Sequence, residues 1–423
     1  MPLKILISGA GVAGPSLSLF LLRANPLHHV TIIERSPTLR KGGQQIDLRG
    51  QGIPVMQKLG LLNAIKARAV AEDGIAFVDA RSGKRWAVFG KNDSGKGRQA
   101  FTSEYEIMRG DLVDVIYQAT LQQARIARAQ GGLTYKFGTY ATDIQQFEDG
   151  VSVTLSDGKV ERFDLVVGAD GQSSKTRRLA FGQDLSSEVF EFSGVNFAFF
   201  SMPGDRNDTP TAQACLVPNR RFMSIRTGGR PSAQGYLGIM GNASSWRGLT
   251  AGTIDMQKQL WAETFKNTGW QSERLIRGLL NTDDFYAQRL GQIKMKSWSQ
   301  GRVTLLGDAA YCPSPMSGMG TACGIVGAYV LAGEITRHEH GNNLSAALQS
   351  YEKILRPFIS EAQKLPLSGP GMIYLKSPWS VWTANRLLGA LSFLRINEMV
   401  NRLMPEDKGG WKVPDYPELN LGE

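Results

Sequence analysis

Gly9, Gly11 and Gly14 stand in the spacing G-x-G-x-x-G, with Val12 and Ala13 between the last two. That spacing suits a diphosphate. The first glycine permits a tight turn, the second lets a pyrophosphate approach the backbone, and the third lets a helix pack closely on a strand. Free N–H groups at the start of that helix then hold the charge. Glu34 follows Gly14 by 20 residues, and Arg35 comes directly after it. A carboxylate there accepts hydrogen bonds from both hydroxyls of an adenosine ribose. The competing reading is a glycine turn in an ordinary α/β protein.

Two further segments share this texture. Gly307-Asp308-Ala309-Ala310 leads on to Pro315, Gly318, Met319 and Gly320. Asp308 offers an acceptor where a ribityl chain would lie, and the N–H groups around Gly318 to Gly320 suit a delocalised negative charge. Asp308 as the N-cap of a helix after a core strand is the alternative. Gly168-Ala169-Asp170-Gly171 also closes an apolar run and by itself reads as a turn. Cys215, Cys312 and Cys323 form no C-x-x-C pair, so neither a zinc site nor a bridged framework is expected. His338 and His340 are two apart and point different ways on a helix, so no metal is expected. There is no P-loop and no G-x-S-x-G elbow.

The elements that must position these residues follow from periodicity. Residues 3–8 read as a buried strand, Ala13 to Arg23 as a helix and Val30 to Glu34 as a second strand, a βαβ unit. A helix over 109–130 carries Leu112, Val113 and Ile116 on one side. Val151 to Leu155 alternates, Ser156 to Gly158 is a turn, and a return strand follows. Leu165 to Ala169 and Val303 to Leu306 are apolar throughout, as buried parallel strands are. Short strands rich in Phe and Met over 185–242 predict an antiparallel sheet. Residues 255–280 read as helix, another long helix starts near 320, and the last 70 residues read as helix and then a tail punctuated by proline. The expected fold is α/β. A Rossmann-like nucleotide-binding domain takes residues 1–184 and 285–365, a second domain takes 185–284 with a part near 75–105, and a helix and tail take 366–423.

Composition narrows the class. Apolar residues make up 42% of 423, enough for a sizeable core. The net charge of +10 is spread along the chain and favours anionic ligands without predicting nucleic acid. No targeting segment and no apolar run long enough to span a bilayer is visible. A cytoplasmic protein, monomer or homodimer, without membrane association, is expected.

Together, the G-x-G-x-x-G, G-A-D-G and G-D-A-A…P-x-x-G-x-G segments resemble, in order and spacing, the FAD-dependent aromatic hydroxylases (group A flavoprotein monooxygenases). The likeness covers nearly the whole chain. The run G-G-Q-Q-I-D-L-R-G at 42–50 and Arg109 before a helix look like the branch containing tetracycline-inactivating monooxygenases and fungal relatives. The resemblance implies non-covalent FAD, NAD(P)H as reductant and O2. One oxygen would pass from a flavin C4a-hydroperoxide to an aromatic or polyketide-like substrate. No catalytic side-chain nucleophile or base is implied. It makes Arg40, Asp47 and Arg109 contacts of the flavin cofactor, against surface charge as the alternative. Asp170 and Pro315 join the cofactor set on the same basis. Phe197, Phe222 and Met223, on the second sheet, become candidates for the substrate pocket, as does Arg220; core packing and a solvated strand end are the plainer readings. Three positions depart from the family: Tyr311 replaces a usual His, Ala322 a usual Asn and Gly327 a usual Asp. The resemblance implies that histidine would be tolerated at 311.

Other functions stay open at this point. Epoxidation or Baeyer–Villiger insertion uses the same scaffold. A prenyl-lipid reductase would use the Trp-rich residues 379–396 against a membrane, and a GDI-like binding protein would keep the fold without the chemistry. For residues 379–396, the resemblance implies a helix that bridges the two domains and buries Trp382, Leu388, Leu391 and Phe393. A dimer contact and a membrane contact are the alternatives.

Overall fold

Lys4–Ser8, His29–Glu34, Leu165–Gly168 and Val303–Leu305 are short runs of mostly β-branched and aliphatic residues. Such runs bury both faces and pair in parallel. The computed structural model, which describes residues 2–40, 42–90, 104–126, 132–241, 246–339, 343–364, 373–394 and 410–421, joins them in one six-stranded sheet. Gly132–Phe137 lies beyond His29–Glu34 at one edge, and Ser299–Gln300 pairs antiparallel at the other. Alternation along Lys4–Ser8 sends Ile5 and Ile7 into the large core under the helices. Leu6 goes to the opposite core, with Val166, Val303 and the strand Gly150–Leu155.

Small residues let the helices approach closely. A Cβ on Gly307 would lie 3.3 Å from the Cβ of Ala13, and one on Gly324 would lie 3.4 Å from it. The helices Ala13–Ala24 and Gly320–Glu339 therefore start side by side, which brings the first and last glycine turns together.

A second sheet runs in the order Tyr286–Ile293, Phe190–Pro203, Ser232–Met240, Arg221–Arg226, Ala212–Val217, Gly74–Val78 and Arg85–Gly90. Its last two strands lie within the part expected near 75–105, of which 91–103 are outside the described residues. The boundary at 284/285 moves, because Tyr286–Ile293 pairs with Phe190–Pro203 and so belongs to this sheet. The helix expected over 255–280 is two, Ile254–Phe265 and Ser272–Asn281. Asn267 and Trp270 break it, held at φ 57° and 44°.

The C-terminal helix also differs from expectation. Pro378–Phe393 lies along the edge strand Arg85–Gly90, where the Ser392 hydroxyl donates to the Val88 carbonyl (2.8 Å) and accepts its N–H (3.1 Å). Its outer face mixes the polar Thr383 and Arg386 with apolar side chains that were expected to be buried: Trp382 is 47% and Phe393 87% exposed. Contact with the first domain comes instead from the tail. Tyr416 and Leu419 are buried there, and the Tyr416 hydroxyl donates to Glu334 (2.7 Å). A Cβ on Gly333 would strike the Tyr416 ring, so glycine makes that socket. Residues 365–372 and 395–409, and His340, are outside the described residues.

Candidate active site

Gly9, Glu34, Asp170 and Asp308 end, or closely follow, four neighbouring parallel strands. The carboxyl edge of such a sheet is where α/β folds bind ligands. Gly9 has φ 115°, and a Cβ there would strike the Ala169 carbonyl oxygen. One on Gly14 would strike the Gly9 carbonyl oxygen. Val12 is the N-cap position of Ala13–Ala24; no side chain caps that helix, and no acid lies in its first turn. Its N–H groups are therefore left for an anion.

Positive charge gathers over this turn. A Cβ on Gly11 would lie 3.4 Å from the Arg109 Nη2. Arg40 is close enough to Arg109 and to Arg35 to be repelled by both, and its guanidinium lies 5.8 Å from the centre of the Tyr286 ring. Three neighbouring cations beside open N–H groups fit a pyrophosphate. Glu34 accepts N–H bonds from Ala10 (3.0 Å) and Ser36 (2.9 Å), which fixes its carboxylate at the mouth of the turn.

At the other end, Asp308 is half-buried, and burial raises its pKa against the opposing pull of Cys312 and Arg109. Its Oδ1 is 3.8 Å from where a Cβ on Gly320 would sit, so Asp308 faces the start of the helix Gly320–Glu339. Pro315 opens a 3-10 turn over Pro315–Ser317, and the Gly318 N–H closes it on the Pro315 carbonyl (3.1 Å). The Met319 N–H donates to the Ser317 hydroxyl (3.2 Å). Asp47 pairs with Arg49, whose Nη1 lies 3.7 Å from a Cβ placed on Gly318. Arg49 was not singled out from the sequence. Its signal was present, since residues two apart in extended chain project to one side.

Asp170 has a different use. Both its oxygens are taken up by its own helix start, by the Ser174 hydroxyl (2.5 Å), the Lys175 and Thr176 N–H groups (2.9 Å each) and the Thr176 hydroxyl (3.0 Å). Asp170 thus builds its own helix start and the turn that packs against Gly9.

The second sheet carries an aromatic row on the face opposite the helices Ile254–Phe265 and Ser272–Asn281. Tyr286, Phe199, Phe197, Phe222 and Tyr374 follow one another with centroids 4.9, 4.9, 6.1 and 6.5 Å apart. Tyr286, Phe197 and Phe222 are only half-buried. The Tyr286 hydroxyl bonds to Gln44, and the Gln45 N–H donates to the Tyr236 hydroxyl (3.1 Å), so this end of the row adjoins the 42–50 segment. Met223 is not part of it. It directly follows Phe222, so strand alternation points it to the opposite face, where it is fully buried with Trp261 and Phe265. Arg220 forms the hairpin turn with Asn219, at φ 58° and 61°, and engages the chain through its backbone.

Two of the departures are one exchange. The Tyr311 hydroxyl fills the space that a Cβ on Gly327 would need. It also bonds to the Tyr351 hydroxyl (3.0 Å), with its ring 4.6 Å from that of Trp298. Tyrosine at 311 thus requires glycine at 327. Histidine there would leave a hole, while the Tyr351 hydroxyl would keep its bond to the Leu305 carbonyl (3.1 Å).

Residues 3–364 match the family model described as FAD binding domain. The chain is 42% identical over 427 residues to the FAD-dependent monooxygenase asL6 of Sarocladium schorii, covering 100% of each. The chain belongs to the FAD-dependent monooxygenase family. This monooxygenase is also 36% identical to asL4 of the same organism, over 99% of each chain. Among solved structures it is similar to tetracycline destructase Tet(51), with TM-score 0.74, 28% identity and coverage of 98% of this chain and 100% of that one. It shares its fold with Klebsiella pneumoniae HpxO complexed with FAD and uric acid, at TM-score 0.67, 19% identity and coverage of 94% and 96%. Among the described residues of the monooxygenase, no helix is long and apolar enough to cross a membrane, and no group of acids, His and Cys could hold a metal.

Proposed function

We propose that this monooxygenase holds FAD non-covalently, consumes NAD(P)H and O2, and adds one oxygen atom to an aromatic or polyketide-like small molecule. The observation that carries the substrate class is the half-buried aromatic row from Tyr286 to Tyr374, which offers stacking surface to a flat ligand. The likeness to tetracycline destructase Tet(51) supports the same class.

In this reading the first sheet and its helices form the FAD-binding domain, and the second sheet forms the substrate domain. Gly9, Gly11 and Gly14, the helix start at Val12 and Ala13, and Arg109, Arg40 and Arg35 hold the diphosphate. Glu34 takes the adenosine ribose. Asp308 accepts from the ribityl chain. The N–H of Gly320 at the helix start, presented by the Gly318–Met319 turn, and Arg49 held by Asp47 supply positive potential for the negative charge of the reduced ring. FAD held by these residues would supply a hydride acceptor for NAD(P)H and a site for O2 activation, with one oxygen atom destined for the substrate and the other for water. The protein orients the two partners and keeps bulk water out, so no side-chain nucleophile is needed.

The test is a screen of phenols, quinones and polyketides for those that accelerate NADPH oxidation by the FAD-loaded protein, with NADH in parallel. Product mass should rise by one oxygen. A protein that carries FAD and oxidises no NAD(P)H with any such compound refutes the reading.

A further inference from the structure

The aromatic row ends on a tyrosine that the sequence motifs do not mark. Tyr374 precedes the C-terminal helix and is 6% exposed, yet it packs with Phe222, Val195 and Leu290 on the substrate side of the second sheet. Its hydroxyl rests on the bare backbone of Gly238, where a Cβ would come within 2.5 Å of it. That hydroxyl has no hydrogen-bond partner among the described residues and is not sealed from solvent.

The neighbouring chain fixes the ring in place. The Arg220 N–H donates to the Leu375 carbonyl (2.8 Å), and the Asn219 N–H donates to the Lys376 carbonyl (2.9 Å). The hairpin turn of the second sheet thus holds the two residues after Tyr374. A hydroxyl that water can reach but that bonds to nothing in the chain is free to bond a ligand. Phenylalanine would fill the same space and lack only that group. Here the hydroxyl stands at the far end of a row of rings whose near end touches the 42–50 segment.

We propose that Tyr374 is a substrate-positioning residue: its hydroxyl donates a hydrogen bond to a keto or phenolic oxygen at the distal end of an elongated, polycyclic aromatic substrate lying along the Tyr286–Phe199–Phe197–Phe222 row. The proposal rests on the monooxygenase reading of the same face and adds the shape of the substrate and its distal anchor. Arg220 acts in it through its backbone, by holding the segment that carries Tyr374.

The test uses the FAD-loaded full chain and two three-ring probes, emodin, which bears keto and phenolic oxygens, and anthracene, which bears none. Equilibrium dialysis measures the Kd of each for the parent and for Tyr374→Phe. Emodin should bind the variant ~5–10-fold more weakly, the effect of one lost neutral hydrogen bond, while anthracene binds both proteins alike. FAD content and thermal midpoint should not change. Equal emodin affinity in parent and Tyr374→Phe overturns the anchor, as does an equal loss for both probes, which would mark a packing role. A parent that binds neither probe overturns the row as a ligand face. The flavin reading is scored separately, by the bound FAD and by NADPH oxidation.

Discussion

Replacing Glu106 by glutamine should remove a pH dependence from the stability of this protein. Arg226, on the second sheet, donates through one nitrogen to both Glu72 and Glu106, at 2.5 Å each. Two buried carboxyls thus share one guanidinium, and the second oxygen of Glu106 has no partner. Burial outweighs the attraction of Arg226 and, helped by Glu72 and Asp47, pushes the Glu106 pKa from 4.5 up to about 7. Below pH 4.5 the group is protonated in both the folded and unfolded states, and folding costs nothing in charge. As pH rises towards 7 the unfolded chain releases its proton first, so stability falls. At ~1.36 kcal/mol per pKa unit, the loss across this window is about 3 kcal/mol. Glu106→Gln keeps an acceptor for Arg226 and cannot ionise. Urea unfolding of the FAD-loaded protein at steps between pH 4.5 and 8 should show the parent losing about 3 kcal/mol relative to the variant. Parallel pH profiles for the two proteins would refute the reasoning.

Glu34→Ala removes the acceptor of the Ala10 N–H at the glycine turn and of the Ser36 N–H, and should weaken FAD ~10–150-fold, from ~1.5–3 kcal/mol of charged hydrogen bonding; fluorescence titration of the apo-protein checks it, and unchanged affinity would sink the ribose assignment. Asp308→Ala should purify largely without flavin, read from the visible spectrum; a full complement of FAD would contradict its place at the ribityl chain. Tyr311→His should cost ~1–3 kcal/mol for the lost packing and the lost bond between the two tyrosine hydroxyls, and Gly327→Asp alone should also destabilise. The double variant should recover part of the sum, and strict additivity in the unfolding cycle would deny the exchange. Tyr416→Ala should destabilise by ~3–5 kcal/mol, as emptying a buried aromatic socket does; an unchanged melting temperature would show that the tail is not part of the folded core.

The nucleotide end of this protein was legible in the sequence because its chemistry is local. Gly9, Gly11, Gly14 and Glu34 lie within one βαβ unit, and their types follow from backbone space and strand length alone. The apolar runs at 165–169 and 303–306 disclosed their parallel pairing for a similar reason, since a strand buried on both faces has no polar alternation. What required the tertiary structure was every contact between segments distant in the chain. Phe222 and Met223 look alike in sequence, and only the side on which the helices Ile254–Phe265 and Ser272–Asn281 pack decides which of them meets the core. Asp170 reads as one more acidic turn residue until its own helix is seen to use both oxygens. The exchange between Tyr311 and Gly327 is invisible as two departures and plain as one contact. Tyr374 carries no motif at all. Its position depends on a hairpin turn more than 150 residues earlier and on a glycine in a third strand, and side-chain environments assembled from such distant pieces leave no spacing for a sequence to display.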